Sequence, residues 1–383
     1  MKEILSPFNL SSLNLSNRLV MAPMTRNMSK GHVPAADVAQ YYRRRAEGGV
    51  GLIITEGTVI GHKASNGYPD VPNFHGERAL EGWRHVVEEV HAAGGKIFPQ
   101  LWHVGSVRQL HRTQNGGADN PKAQCCYEEC IPGYAPSPVP HPYVDGAEIP
   151  HEMTQKDIAD VVQAFAKAAK DAKDIGFDGV EIHGAHGYLI DQFFWSRTNK
   201  RRDQYGGETL AERTRFAVEV IQAIRDAVGH TYPIDFRFSQ WKMGDYNAKL
   251  ATTPGELESF LIPLKNAGVD IFHCSTRRFW EPEFSDSSLN LAGWTKKITG
   301  NPTITVGSVG LDNDFISTMS GQSAPHLSQI RMQNLLTSLE RGEFDLVAVG
   351  RALLADPRWL QKMVEGRMND ITPFSREVLA KLF

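Results

Sequence analysis

His183 and His186 stand three residues apart in the run His183-Gly184-Ala185-His186-Gly187-Tyr188. Two imidazoles among small residues leave room for a ligand between them. They could begin a zinc site, which needs a third protein ligand; His103 and His273 are the nearest candidates by strand order. They could instead be two hydrogen-bond donors aimed at a substrate oxygen. Tyr188 would then supply a proton, because a phenol is protonated at neutral pH. They could also be satisfied core histidines. A second pattern is Gly307-Ser308-Val309-Gly310, with Gly350-Arg351 further on. Glycines let backbone N–H groups approach a phosphate, and an arginine can clamp the same anion bidentately. The bland alternative is a pair of tight turns. Arg237 lies within the apolar run Ile234-Asp235-Phe236-Arg237-Phe238. A buried cation needs an electron-rich neighbour, which is either Asp235 or Glu181 or the edge of an anionic cofactor.

These residues sit at the ends of short apolar runs, and the runs explain how they could converge. Residues 18–21, 50–55, 96–101, 179–183, 234–238, 269–273, 303–306 and 345–349 are each four to six residues long and rich in β-branched and aromatic types. That composition fits strands buried on both faces. Amphipathic helical patterns cover 35–47, 77–92, 154–174, 210–228, 256–266, 294–299, 334–341 and 357–365. Thr209 and Glu212 read as a capping box for the fourth, and Gly48, Gly94, Gly176, Gly229 and Gly268 read as helix stops. Eight alternations predict a closed (β/α)8 barrel, although an open doubly wound sheet has the same alternation. In a barrel the chemistry sits at the C-terminal strand ends. That search also collects Ala22, Pro23, Met24 and Thr25 after strand one, Gly57 after strand two, and Gln100 in strand three. The spacing is about 41 residues per βα unit, against roughly 30 in a minimal barrel. The excess is largest between strands three and four, where residues 104–150 are rich in Pro, Gly and His. We read them as an excursion capping the barrel mouth, within one domain spanning 1–383.

The 383 residues carry 41 Lys and Arg against 44 Asp and Glu, a net charge of −3. That balance argues against nucleic acid as a partner. Arg43-Arg44-Arg45 reads as a solvated helix face. No apolar run approaches 18 residues, so neither a signal peptide nor a transmembrane helix is expected and a cytoplasmic enzyme is the default. The four cysteines are too sparse for a disulfide scaffold. Cys125, Cys126 and Cys130 lack the C-x-x-C core of common iron–sulfur motifs and read as a loop of reduced thiols, with no metal expected. A homo-oligomer is compatible with the sequence.

Nearly the whole chain resembles the old yellow enzyme family of flavin-dependent ene-reductases. The resemblance is carried by Asn17 to Arg26, by Tyr41-Tyr42 with Arg45-Ala46 and Gly48-Gly49, and by Gln100-Leu101-Trp102-His103-Val104-Gly105. Its most specific block is Glu181 to Phe194, continuing through Ser196, Asn199, Arg201, Asp203 and Tyr205-Gly206-Gly207. The resemblance implies a single TIM barrel holding FMN, reduced by NADPH or NADH. It implies contacts to FMN from Ala22, Pro23, Met24, Thr25, Gly57, Gln100 and Arg237, with Gly307, Gly350 and Arg351 at the phosphate. It also implies that His183 and His186 bind a substrate carbonyl oxygen and that Tyr188 donates the proton. The implied reaction is reduction of the activated C=C bond of an enone, with quinones, nitro compounds or nitrate esters as alternative acceptors. A metal-dependent barrel hydrolase is the distant alternative. The chain departs from the family pattern at Ser106, at Gln240-Trp241 and at Ser308-Val309. These departures bear on substrate preference more than on FMN.

Overall fold

A computed structural model describes residues 1–110, 130–313 and 329–383. Eight strands close into a barrel: β1 (Leu19–Met21), β2 (Leu52–Val59), β3 (Lys96–Trp102), β4 (Val180–His183), β5 (Ile234–Ser239), β6 (Ile271–Ser275), β7 (Thr303–Val306) and β8 (Leu346–Val349). Each strand pairs in parallel with its sequence neighbours, and β8 returns to β1. The expected strands are all present. Strand β2 runs to Val59, past the expected end at Thr55, because a register shift between Ile54 and Gly57 carries its pairing on to Trp102.

The helices surround the barrel: α1 (Ala36–Glu47), α2 (Glu77–Ala92), α3 (Gln155–Asp174), α4 (Arg215–Val228), α5 (Pro254–Ala267), α6 (Leu291–Thr299) and α7 (Gln329–Glu340). Helix α3 buries Ile158, Val161, Val162, Phe165, Ala169 and Ala172, a helical spacing that turns one stripe to the sheet. Each large apolar side chain so buried contributes roughly 1.5–3 kcal/mol. Thr154 and Asp157 cap α3 reciprocally. Thr209 and Glu212 make the expected exchange too, at 2.8 and 3.3 Å. The exchange precedes a 3-10 turn, Glu212–Thr214, and α4 itself starts at Arg215. The helix expected at 357–365 is Trp359–Val364, and a short helix, Arg351–Ala355, precedes it across Asp356, Pro357 and Arg358.

Other elements escaped the sequence reading. A helix, Leu189–Phe194, follows β4 directly. An antiparallel hairpin, Phe8–Leu10 with Leu13–Leu15, packs Phe8, Leu13 and Leu15 against Val20, Leu52, Ile271, Ile304 and Leu346, near the N-terminal ends of the barrel strands. Of the excursion, residues 104–110 and 130–150 are described. There Tyr134–Ala135 pairs with His151–Glu152. Cys130 is disulfide-bonded, which corrects its reading as a reduced thiol. Cys125 and Cys126 lie outside the described residues. Among the described residues no helix is long and apolar enough to cross a membrane.

Candidate active site

Period-two alternation decides what β5 offers the barrel interior. Phe236 and Phe238 turn outward, onto Phe194 and Phe260. Asp235, Arg237 and Ser239 therefore turn inward. Register then aligns rows across strands: Gln100, Glu181 and Asp235 in one, and His183, Arg237 and His273 in the next. This row structure brings residues up to 173 positions apart into one small volume.

The turn after β4 holds the imidazoles. Gly184 must be glycine, because a Cβ there would lie 2.4 Å from the Phe236 ring. His186 has φ +64° and Gly187 φ +85°. A left-handed histidine costs of order 1 kcal/mol or more and has to be held. The Gly187 N–H donates to Asp191 Oδ2 (2.6 Å), and Lys242 Nζ donates to Asp191 Oδ1 (2.6 Å). Gln192 Nε2 donates to the Gly187 carbonyl (2.7 Å), and His141, from the excursion, reaches the same carbonyl at 3.2 Å.

His183 stacks on Trp102 at 5.9 Å. It meets His186 edge-on at 5.2 Å and Tyr188 at 5.0 Å. Its Nδ1 accepts the Ala185 N–H at 3.3 Å, so the ring proton is on Nε2. Burial, with the Arg237 charge adding to it, pushes its pKa down to about 3. The same two causes hold His186 well below the usual imidazole range. Both rings are therefore neutral near pH 7, each with one N–H to donate. The metal reading finds no support in the ligand geometry. Among the described residues the only three-residue cluster of metal-ligand type is Glu181, Asp235 and His273, which contains neither imidazole.

Beneath the histidines, Glu181 holds two partners at once. Gln100 Nε2 donates to its Oε1 (2.6 Å), and His273 Nδ1 lies 2.5 Å from its Oε2. Among the described residues Arg237 makes no ion pair with Glu181, which pairs with His273, or with Asp235, whose carboxylate oxygens have no partner there. Arg237 is buried, and its Nε has no partner among the described residues.

Above this floor opens a cavity of about 600 Å³. Ala22, Pro23, Met24, Thr25, His186, Tyr188, Arg237, Gly307, Gly350 and Arg351 line it. A smaller recess of about 120 Å³ adds Gln100 and His183 beside Trp102. Arg26, Arg237, Arg277 and Arg351 face the main cavity, and among the described residues no carboxylate does. Arg351 Nη2 reaches the Asn313 carbonyl at 2.6 Å. Gly57 is the exception among the expected residues. It lines neither space and packs under Trp102, so closely that a Cβ at this position would lie 2.5 Å from the indole. Sequence reasoning passed over Tyr68, whose hydroxyl meets that of Tyr188, and Ser275, whose hydroxyl meets His186.

A cavity of this size with a cationic rim and an orphaned guanidinium N–H fits a large planar anion. The model of the NADH:flavin oxidoreductase / NADH oxidase family matches residues 3–370. The chain belongs to the old yellow enzyme family. It is 34% identical over 377 residues to an NADH oxidase of Thermoanaerobacter brockii, covering 96% of this chain and 52% of that protein. It thus spans about half the length of that relative. It is 36% identical over 273 residues to 12-oxophytodienoate reductase 1 of Oryza sativa subsp. japonica, covering 71% and 67%. Morphinone reductase in complex with tetrahydroNAD superposes with a TM-score of 0.77 at 26% identity, covering 98% of this chain and 93% of that one. FMN is the family's cofactor, and a nicotinamide is its reductant.

Proposed function

We propose that the protein is an FMN-dependent NAD(P)H oxidoreductase that reduces the activated C=C bond of α,β-unsaturated carbonyl compounds. The observation that carries this reading is the convergence of three donors on one cavity. The neutral His183 ring lies 5.2 Å from the neutral His186 ring and 5.0 Å from the Tyr188 phenol, beside a buried arginine.

Arg237 would lie against the electron-rich edge of FMN, and Gln100, its amide nitrogen tied to Glu181, would offer its oxygen to an N–H there. Gly307, Gly350 and Arg351 would hold the phosphate, with Ala22 to Thr25 along one side and Gly57 acting through the placement of Trp102. When bound, FMN supplies the hydride that a nicotinamide has delivered to it. His183 and His186 donate to the substrate carbonyl oxygen and stabilise the negative charge that develops there. One such donor lowers the barrier by roughly 3 kcal/mol. Tyr188 holds the proton that goes to the α-carbon. Trp102 and Tyr188, both buried, keep water from that side of the reacting carbons. The reading takes small molecules as substrates, in a cytoplasmic setting, with no nucleic acid or membrane partner.

The test is an anaerobic absorption spectrum of the purified protein after NADH or NADPH, then after 2-cyclohexenone. A flavin spectrum bleached by the nicotinamide and restored by the enone supports the proposal. Bleaching without restoration by the enone would overturn it in favour of quinone or nitro acceptors.

A further inference from the structure

His186 is neutral, so one of its two ring nitrogens carries the proton, and which one decides whether it can donate to a ligand. Its Nε2 lies 2.8 Å from Ser275 Oγ, at the end of β6. Ser275 is 2% exposed. Among the described residues the other group at the Ser275 hydroxyl, which lines the main cavity, is Arg237 Nη2, at 3.5 Å. A guanidinium only donates. It occupies a lone pair of Oγ and cannot take the hydroxyl proton. That leaves His186 Nε2 as the acceptor for Ser275 O–H. Were Nε2 protonated, the hydroxyl would face two donors and its own hydrogen would find no acceptor among the described residues, a cost of about 1–3 kcal/mol.

We infer that Ser275 fixes His186 as the Nδ1–H tautomer and is the positioning residue for that donor. The hydrogen-bond chain runs from Arg237 through Ser275 to His186, and its direction is set by the one member that cannot accept. The two imidazoles then use different nitrogens: His183 its Nε2–H, because Nδ1 accepts from Ala185, and His186 its Nδ1–H. The functional arm of this inference rests on the reading of His186 as a carbonyl donor, whereas the tautomer itself does not.

The test is long-range ¹⁵N–¹H correlation on histidine-labelled holoenzyme, with His186 assigned by its absence in His186→Gln. The expected result is a protonated Nδ1 and an unprotonated Nε2. Ser275→Ala should convert this to a mixed or inverted tautomer, and Ser275→Thr should restore it. Phenol binding, read by spectral titration, should weaken roughly fivefold in Ser275→Ala and recover in Ser275→Thr, the loss of one neutral hydrogen bond. A wild-type protein protonated at Nε2 overturns the inference whether or not the variant folds. So does an unchanged tautomer in Ser275→Ala. The expected tautomers in a protein that binds no phenol would support the Ser275 assignment and refute the carbonyl-donor role.

Discussion

The hydroxyls of Tyr68 and Tyr188 lie 2.9 Å apart. Tyr68 stacks on Trp102 at 5.3 Å, and Trp102 meets Tyr188 edge-on at 4.8 Å, so one indole holds both phenols. A proton leaving Tyr188 can be followed by a hydrogen bond from Tyr68. Tyr188→Phe should therefore slow enone reduction about a hundredfold or more, with flavin reduction by nicotinamide spared. Tyr68→Phe should slow the same step only about fivefold to tenfold. Rapid mixing of reduced enzyme with 2-cyclohexenone measures both. Equal losses would make Tyr68 the donor.

The depressed pKa of His183 has a definite sign in stability. Its folded value, about 3, lies below the ordinary 6.5, chiefly through burial. The neutral folded form is thus favoured fully above pH 6.5, and that advantage is lost as pH falls from 6.5 toward 3. Between pH 7 and pH 5 this one group should remove about 2 kcal/mol of unfolding free energy. Chemical denaturation of wild type and His183→Gln at the two pH values should show the variant losing less. Identical losses would mean that the ring is not held neutral.

Lys242 and Asp191 form an ion pair with both side chains at 0% exposure. Lys242→Met would strand a buried carboxylate. We expect a loss of about 3–5 kcal/mol, with Lys242→Met/Asp191→Leu closer to wild type in urea unfolding. The double variant should nevertheless bind phenol poorly, because Asp191 also holds the Gly187 N–H.

Arg351→Ala should weaken FMN binding tenfold or more and reduce its salt dependence, through loss of a charge-assisted contact to phosphate. Flavin fluorescence titration at two ionic strengths measures this. Unchanged affinity would place the phosphate elsewhere in the cavity.

Much of the barrel was legible because buried parallel strands are short apolar runs with helices between them. The Phe8–Leu15 hairpin was not legible, since three-residue strands around Ser11-Ser12 give too little periodicity. His183, His186 and Tyr188 declared themselves by proximity in the chain, and the glycines and Arg351 by their place after strands. Ser275, Tyr68 and the pairing of Glu181 with His273 did not. Their importance arises from register and from closure of the sheet, which set residues opposite one another across 80 to 120 positions of sequence. Arg237 was identified as needing a partner. That Glu181 is committed to His273 and Gln100 could only be read in space.

The hairpin under the barrel has a kinetic meaning. Phe8, Leu13 and Leu15 pack at the N-terminal end, and among the described residues the cavity lies at the opposite ends of the strands. On the proposed function, nicotinamide and acceptor would use the same entrance and the same floor, one after the other. Steady-state kinetics should then show a ping-pong sequence, with each reactant in excess inhibiting by occupying the place of the other.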